Sequence, residues 1–155
     1  MSEEKVILVD KNDNQVGLMP KLEAHEKGLL HRAFSIFIFN SRYELLLQKR
    51  ASSKYHSGGL WTNTCCSHPR EGEDTLDAAN RRLYEEMGIK TSLRKVYDFI
   101  YKAELDNQLT EHEFDHVFYG VCDSDPKLNK DEAEDFKWVD METLNNDIIK
   151  NEDNY

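Results

Sequence analysis

The densest chemistry in the chain lies in one short run, Trp61-Thr62-Asn63-Thr64-Cys65-Cys66-Ser67-His68-Pro69. Adjacent cysteines rarely reach disulfide geometry. In an extended chain, side chains alternate between faces, so Cys66 points the same way as His68 and Cys65 points the other way. Cys66 is then the thiol that can share a pocket with His68, while Cys65 packs inward. A thiol beside an imidazole and a metal can hold a lowered pKa and act as acid or base. A plainer alternative is that both cysteines are small core residues.

A second group is Glu111-His112-Glu113. On a strand the two carboxylates share a face and repel each other unless something positive sits between them. A divalent metal would resolve that; a solvated strand face with unpaired carboxylates is the alternative. His25, His31 and His68 lack the spacing of a helical zinc pair, and each alone fits a surface or core role. Taken with the two glutamates they would supply three nitrogens and two oxygens. At a six-coordinate ion that leaves one position for water or substrate. Such a mixed shell suits Zn, Mn or Mg better than Cu(I) or an iron–sulfur cluster.

A third group lies on a helix. Arg82 and Glu86 stand four residues apart, as do Arg81 and Glu85. Either pair could be an ordinary surface ion pair worth ~0.3–0.5 kcal/mol. A sharper reading has Arg82 gripping a phosphate while Glu86 holds a metal bound to that same phosphate. Lys21, Arg50 and Lys54 are the remaining candidates for an anion pocket, although each in isolation is a plain surface cation.

These groups need a scaffold. Apolar residues at 6–9 and 15–19 flank a turn at 10–14 and predict a hairpin. Lys21 to Lys27 reads as a short helix or loop closed by Gly28. Strands are expected over 32–40, 45–50 and 61–65, with a loop at 51–60 containing Gly58-Gly59. Leu76, Ala79, Leu83 and Met87 then fall on one side of a helix, capped by Asp74 or Thr75 and ended by Gly88. Runs 93–103 and 112–121 predict two long strands, 136–139 a further one, and Asp140 caps a last helix over 141–149. The expectation is a single α/β domain over residues 1–155.

Composition narrows the function. With 20 basic and 30 acidic residues among 155, the net charge is -10, which argues against nucleic acid or an anionic membrane as partner. An anion would have to be met by cations gathered in one pocket. No apolar run approaches the ~20 residues needed to cross a bilayer, and the start MSEEKVILVD has no secretory pattern. Three cysteines argue against a disulfide framework and for a reducing, cytoplasmic setting.

The helix resembles a degenerate Nudix box, G-x5-E-x7-R-E-U-x-E-E-x-G-U with U a bulky aliphatic residue. Here Glu73, Arg81, Leu83, Glu85, Glu86, Gly88 and Ile89 match. Ser67 replaces the first glycine, and Arg82 replaces the glutamate after the arginine. That glutamate belongs to the metal cluster of the hydrolases, so a cation there argues for holding a diphosphate rather than cleaving it. From about Lys5 to Lys150 the pattern resembles the type I isopentenyl-diphosphate isomerases, above all in Trp61 to Pro69 and in Glu111-x-Glu113 following Tyr101.

That resemblance implies a Nudix-type mixed sheet flanked by helices, with additional N-terminal strands. It implies a 1,3-allylic proton shift between isopentenyl and dimethylallyl diphosphate. Cys66 and Glu113 would be the paired catalytic residues, with Tyr101 bonded beside Glu113. His25, His31, His68, Glu111 and Glu113 would hold one divalent metal (Zn, Mn or Mg). Glu86, helped by the Cys66 carbonyl, would hold a second Mg on the diphosphate. Lys21, Arg50, Lys54 and Arg82 would contact its oxygens. The expected partner is a small isoprenoid diphosphate, with no nucleic acid or membrane, and the protein a monomer or homodimer. Members of that family usually continue with an aromatic segment that closes the pocket. This sequence stops at 151–155, which leaves Trp61 as the candidate aromatic wall. The rival readings are a Nudix pyrophosphohydrolase on a nucleoside diphosphate derivative and a non-catalytic metal-binding module.

Overall fold

The computed structural model describes residues 4–54 and 56–155. In chain order it runs β1 (Lys5–Val9), β2 (Gln15–Pro20), α1 (Lys21–Lys27), β3 (His31–Phe39), β4 (Leu45–Arg50), β5 (Trp61–Thr62), β6 (Cys65–Ser67), α2 (Thr75–Met87), β7 (Arg94–Glu104), β8 (Thr110–Val121), β9 (Ala133–Val139) and α3 (Met141–Lys150). β1 and β2 pair around a turn in which the Asp10 carboxylate accepts from the Asn12 and Asn14 amides.

The strands form one mixed sheet with β3 at its hub. β3 is antiparallel to β1, β4 and β6, and runs parallel to β8 along its whole length, from His31 opposite Glu113 to Phe39 opposite Val121. Among the described residues β7 pairs only with β8, and β9 lies beside β4. Alternation along β3 separates two apolar layers. Phe34, Ile36 and Ile38 turn to one face with Leu46 and Phe118, against Ala78, Ala79, Leu83 and Met87 of α2. Phe37 and Phe39 turn the other way with Leu45 and Leu47, toward Leu144 of α3. This is the expected α/β arrangement of helices on a mixed sheet, with β1 and β2 as the extra N-terminal strands.

α2 begins where Asp74 accepts from the Leu76 and Asp77 amides. It ends at Gly88, whose φ of 65° and close packing against Lys127 leave no room for a side chain: a Cβ there would meet Lys127 at 2.8 Å. The strand expected over 61–65 is broken at Asn63 and Thr64. Their side chains take over the bonding there. Asn63 Nδ2 donates to the Ile36 and Cys65 carbonyls, and Thr64 Oγ1 donates to the Leu46 carbonyl while accepting from the Ile38 amide.

Candidate active site

Parity assembles the site. Ser35 is opposite Cys66 in the β3–β6 pair, and His31 is opposite Glu113 in the β3–β8 pair. Tyr101 and Phe99 stand opposite Glu113 and Asp115 in the β7–β8 pair. One face of the sheet thus presents Ser35, Cys66, Phe99, Tyr101, Glu111, Glu113 and Asp115 to a cavity of about 880 Å³. α1 contributes Lys21 and His25, the loop after β4 contributes Lys54 and His56, and α2 sends in Arg82 and Glu86. Cys65 faces the opposite way, fully buried against Glu86 at 3.2 Å, as strand alternation requires.

His25, His31, His68 and Glu113 form one buried group whose ligand atoms all lie within 4.8 Å of one another. The three imidazole rings sit 5.0–5.9 Å apart. Glu113 Oε2 lies 3.1 Å from His68 Nε2 and 3.3 Å from His31 Nε2. Glu111 stands in an adjoining group with His25 and His56. His25 Nδ1 lies 2.8 Å from the Lys21 carbonyl, and His31 Nδ1 lies 2.9 Å from the Leu29 carbonyl. A nitrogen facing a carbonyl must carry the proton, so in both rings Nδ1 is the donor and Nε2 is the nitrogen turned toward the group. Burial lowers the pKa of His25 and brings that of His68 to about 4, so both rings are neutral at pH 7. Burial opposes the Glu113 charge, yet the His31 and His68 rings beside it hold its pKa well below the carboxylate range. Imidazoles converging on a carboxylate, with the buried His31 Nε2 hydrogen-bonded to nothing among the described residues, are donors that fit a divalent cation.

Tyr101 Oη approaches both carboxylates, at 2.8 Å from Glu111 Oε2 and 2.5 Å from Glu113 Oε1. Burial and those two neighbours raise the Tyr101 pKa, so it remains a phenol that donates. Burial, then Glu113, pushes Glu111 upward. Cys66 opens on the cavity, but the walls crowd its sulfur. Burial and the nearby Asp115 push the thiol up to about 12, and it lies 3.0 Å from Asn63 Oδ1 and 3.6 Å from Ser35 Oγ. These surroundings keep Cys66 a protonated thiol at neutral pH, and the lowered pKa expected beside an imidazole and a metal depends on the charge of the ion. Burial is the first reason the thiol stays protonated, and the carboxylates around it are the second.

The four expected cations line the same cavity. Their partners were not foreseen. Glu132 lies 2.5 Å from Lys54 and 3.3 Å from Arg82, and Glu4 lies 3.6 Å from Lys21. Arg82 also meets Glu86 at 3.1 Å, as its spacing predicts. Burial works against the Arg82 charge, but Glu86 and Glu132 raise its pKa. The Nε atoms of Arg50 and Arg82 are buried with no hydrogen-bond partner among the described residues. Arg81 turns elsewhere: it clamps Glu73 at 2.8 and 2.9 Å and Glu85 at 2.8 Å, tying the loop before α2 to the helix. Reasoning from sequence missed His56, Asp115, Ser35 and Glu132. Only the shared parity of Asp115 with Glu111 and Glu113 could have signalled one of them. Trp61 lines the cavity too, with Lys137 Nζ 4.3 Å above its ring.

The comparisons with known proteins agree with this geometry. A sequence model of the NUDIX domain matches residues 29–155. The crystal structure of a Deinococcus radiodurans protein superposes with a TM-score of 0.79 at 21% identity, covering 96% of this chain and 90% of that one. A MutT protein from Methanosarcina mazei gives 0.64 at 20% identity, covering 74% and 80%. Fold and site together define a Nudix-class α/β protein with a buried His/Glu centre. Among curated relatives, isopentenyl-diphosphate Delta-isomerase 2 of Aromatoleum aromaticum is 56% identical over 99% of this chain and 81% of its own length. Isopentenyl-diphosphate Delta-isomerase 1 of the same organism is 60% identical over 94% and 82%. The isopentenyl-diphosphate Delta-isomerase of Pectobacterium atrosepticum is 54% identical over 90% and 78%. The chain belongs to the isopentenyl-diphosphate isomerase family of the Nudix superfamily. No helix among the described residues is long and apolar enough to cross a membrane.

Proposed function

We infer that the chain is an isopentenyl-diphosphate isomerase, interconverting isopentenyl and dimethylallyl diphosphate by a metal-dependent allylic proton shift. The observation that carries this reading is the joint presence of Cys66, Glu113 and four cations in one cavity. An unactivated alkene is a poor base, so a proton donor must be held against it. Protonation gives a tertiary carbocation, and a base on the opposite face then removes a proton from C2. Two groups on separate strands meet that requirement, and Cys66 of β6 and Glu113 of β8 are assigned to it.

Cys66 and Glu113 reach the cavity from separate strands, so one can donate to the alkene while the other accepts from C2. Tyr101 donates to Glu113 and fixes its orientation. Lys21, Arg50, Lys54 and Arg82 are assigned to the diphosphate oxygens, and Glu86 with the Cys66 carbonyl to a Mg ion on the diphosphate. Zn, Mn or Mg at the His/Glu centre would fix the geometry of Glu113 and tune its pKa. Phe99, Tyr101 and Trp61 supply aromatic surface where positive charge develops and where water must be kept out. In this reading residues 1–155 work as one cytoplasmic catalytic domain.

The test follows the double-bond shift by NMR with metal present. Wild type turns over, while Cys66→Ala and Glu113→Gln stay folded and silent. Near-normal turnover in either variant removes that residue from its role. Phosphate release from nucleoside diphosphate derivatives, without isomerisation, would establish the hydrolase instead.

A further inference from the structure

The two His/Glu groups overlap at His25, and that overlap bears on how the ion is held. His25 Nδ1 faces the Lys21 carbonyl, so its Nε2 is the ligating nitrogen in both groups. One imidazole nitrogen binds one ion. The groups His25–His31–His68–Glu113 and His25–His56–Glu111 therefore cannot both be filled through His25, and a single ion shared by them would have to draw the outlying ligands in, since the six ligand atoms do not all lie within 4.8 Å of one another.

His56 is built into the second of these groups. It is 6% exposed, and its ring stacks on His25 with centroids 5.7 Å apart and planes 26° apart. Its Nε2 lies 4.0 Å from Glu111 Oε1, while Tyr101 holds the other oxygen of that carboxylate. A gap of 4.0 Å is too long for a hydrogen bond. It matches the roughly 3–4.2 Å that separates two ligands on a common ion when each bond is about 2.1 Å. The described residues around His56 are tied back to β4. Arg50 Nη2 donates to the His56 carbonyl at 3.3 Å, and the Gly59 amide donates to the Arg50 carbonyl at 2.9 Å. Gly58 passes so close to the Ser52 carbonyl that a Cβ would meet it at 2.8 Å.

We propose that His56 is a ligand of the ion held by this centre and closes its shell at six: His25, His31, His56, His68, Glu111 and Glu113. The proposal rests on the reading of this group as a metal centre and deepens it. A filled shell leaves no position for water or substrate, which is the design of a structural rather than an open catalytic site. The ion then acts only through the carboxylates it holds, Glu113 above all. Four imidazoles also favour Zn over Mg, whose preference is for oxygen.

The experiment loads the full chain with Mn²⁺ and measures water-proton relaxation together with Mn²⁺ affinity by chelator competition. Wild type should show tight binding with no exchanging inner-sphere water. His56→Ala should admit one water, raise the relaxivity, and weaken binding by at least ~10–100-fold. A count of four imidazoles by X-ray absorption on the Zn-loaded wild type gives the same answer without a variant. A wild-type centre with three imidazoles and a bound water, unchanged in His56→Ala, overturns the ligand assignment and leaves the centre standing. Failure of wild type to bind Mn²⁺ or Zn²⁺ overturns the centre and the proposal together.

Discussion

Replacing Glu113 by Gln keeps the side chain's shape and removes the carboxylate that lies 3.1 Å from His68 and 3.3 Å from His31. An ion bound only by the folded state stabilises it by RT ln(1 + [L]/Kd), about 2.7 kcal/mol at a concentration a hundred times Kd. For a domain of this size each kcal/mol moves Tm by about 2–4 °C, so the wild-type shift on adding metal is about 5–11 °C. An outer partner of a metal ligand is worth ~10–100-fold in affinity. Glu113 sits closer than that, so ~100-fold is a lower bound for its loss. At the same metal concentration Kd then equals [L], and stabilisation falls to about 0.4 kcal/mol, or about 1–2 °C. Thermal unfolding of each protein, chelator-treated and then with Mn²⁺ or Zn²⁺ restored, reads this directly. Each protein serves as its own reference, so a difference between the metal-free forms cancels. Equal metal-induced shifts in the two proteins would refute the assignment of Glu113 to the ion.

Other perturbations address the scaffold and the anion pocket. Leu83→Ala opens a void where α2 meets β3, at a side chain with 0% exposure, and should cost about 2–5 kcal/mol in urea unfolding; a cost under ~1 kcal/mol would mean the layer can collapse around it. Glu73 has a pKa lowered below 4.5, chiefly by hydrogen bonds from Arg81. The folded state therefore binds its proton more weakly than the unfolded chain, so its contribution is present above pH about 4.5 and is lost as pH falls through the folded pKa. Glu73→Gln should lower the urea midpoint at pH 7, and that gap should narrow as pH falls below about 4.5; a pH-independent gap would show that the charge is irrelevant. Arg50→Ala removes a guanidinium whose buried Nε has no hydrogen-bond partner among the described residues. A charged hydrogen bond is worth ~1.5–3 kcal/mol, or roughly 10–150-fold, and the loss should appear in KM for the diphosphate more than in kcat; a pure kcat effect would remove Arg50 from the binding role.

Much of this molecule can be read locally. Alternation put Cys66 and His68 on one face and Cys65 on the other, and the fully buried Cys65 agrees. The period of Leu76, Ala79, Leu83 and Met87, bounded by Asp74 and Gly88, defined α2 nearly to the residue. Both features depend on side-chain direction along a regular element, which is a property of neighbours in the chain. The Nudix-like spacing of Glu73, Arg81, Glu85 and Glu86 is of the same kind, since its ion pairs form within one helix and the loop before it.

What no local rule supplies is which distant groups meet. His31 faces Glu113 only because β3 and β8 run parallel in that register, and a slip of one residue would turn the carboxylate to the α2 side. His25 joins them because α1 packs back against β8 and its ring bonds the Lys21 carbonyl. His56 comes from a loop whose path the sequence marks only by two glycines. The surroundings of Cys66 are hidden from the sequence for the same reason. The sequence beside it shows an imidazole, whereas the fold brings Asp115 and Glu113 to it from another strand, and the electrostatics of a buried group are set by whatever tertiary packing places within a few ångströms. The sequence by itself thus determined the residue types and the face each one occupies. Only the tertiary structure decided the distances among them, because strand register and helix docking are set by long-range burial of the two apolar layers and not by any property of the residues in the site.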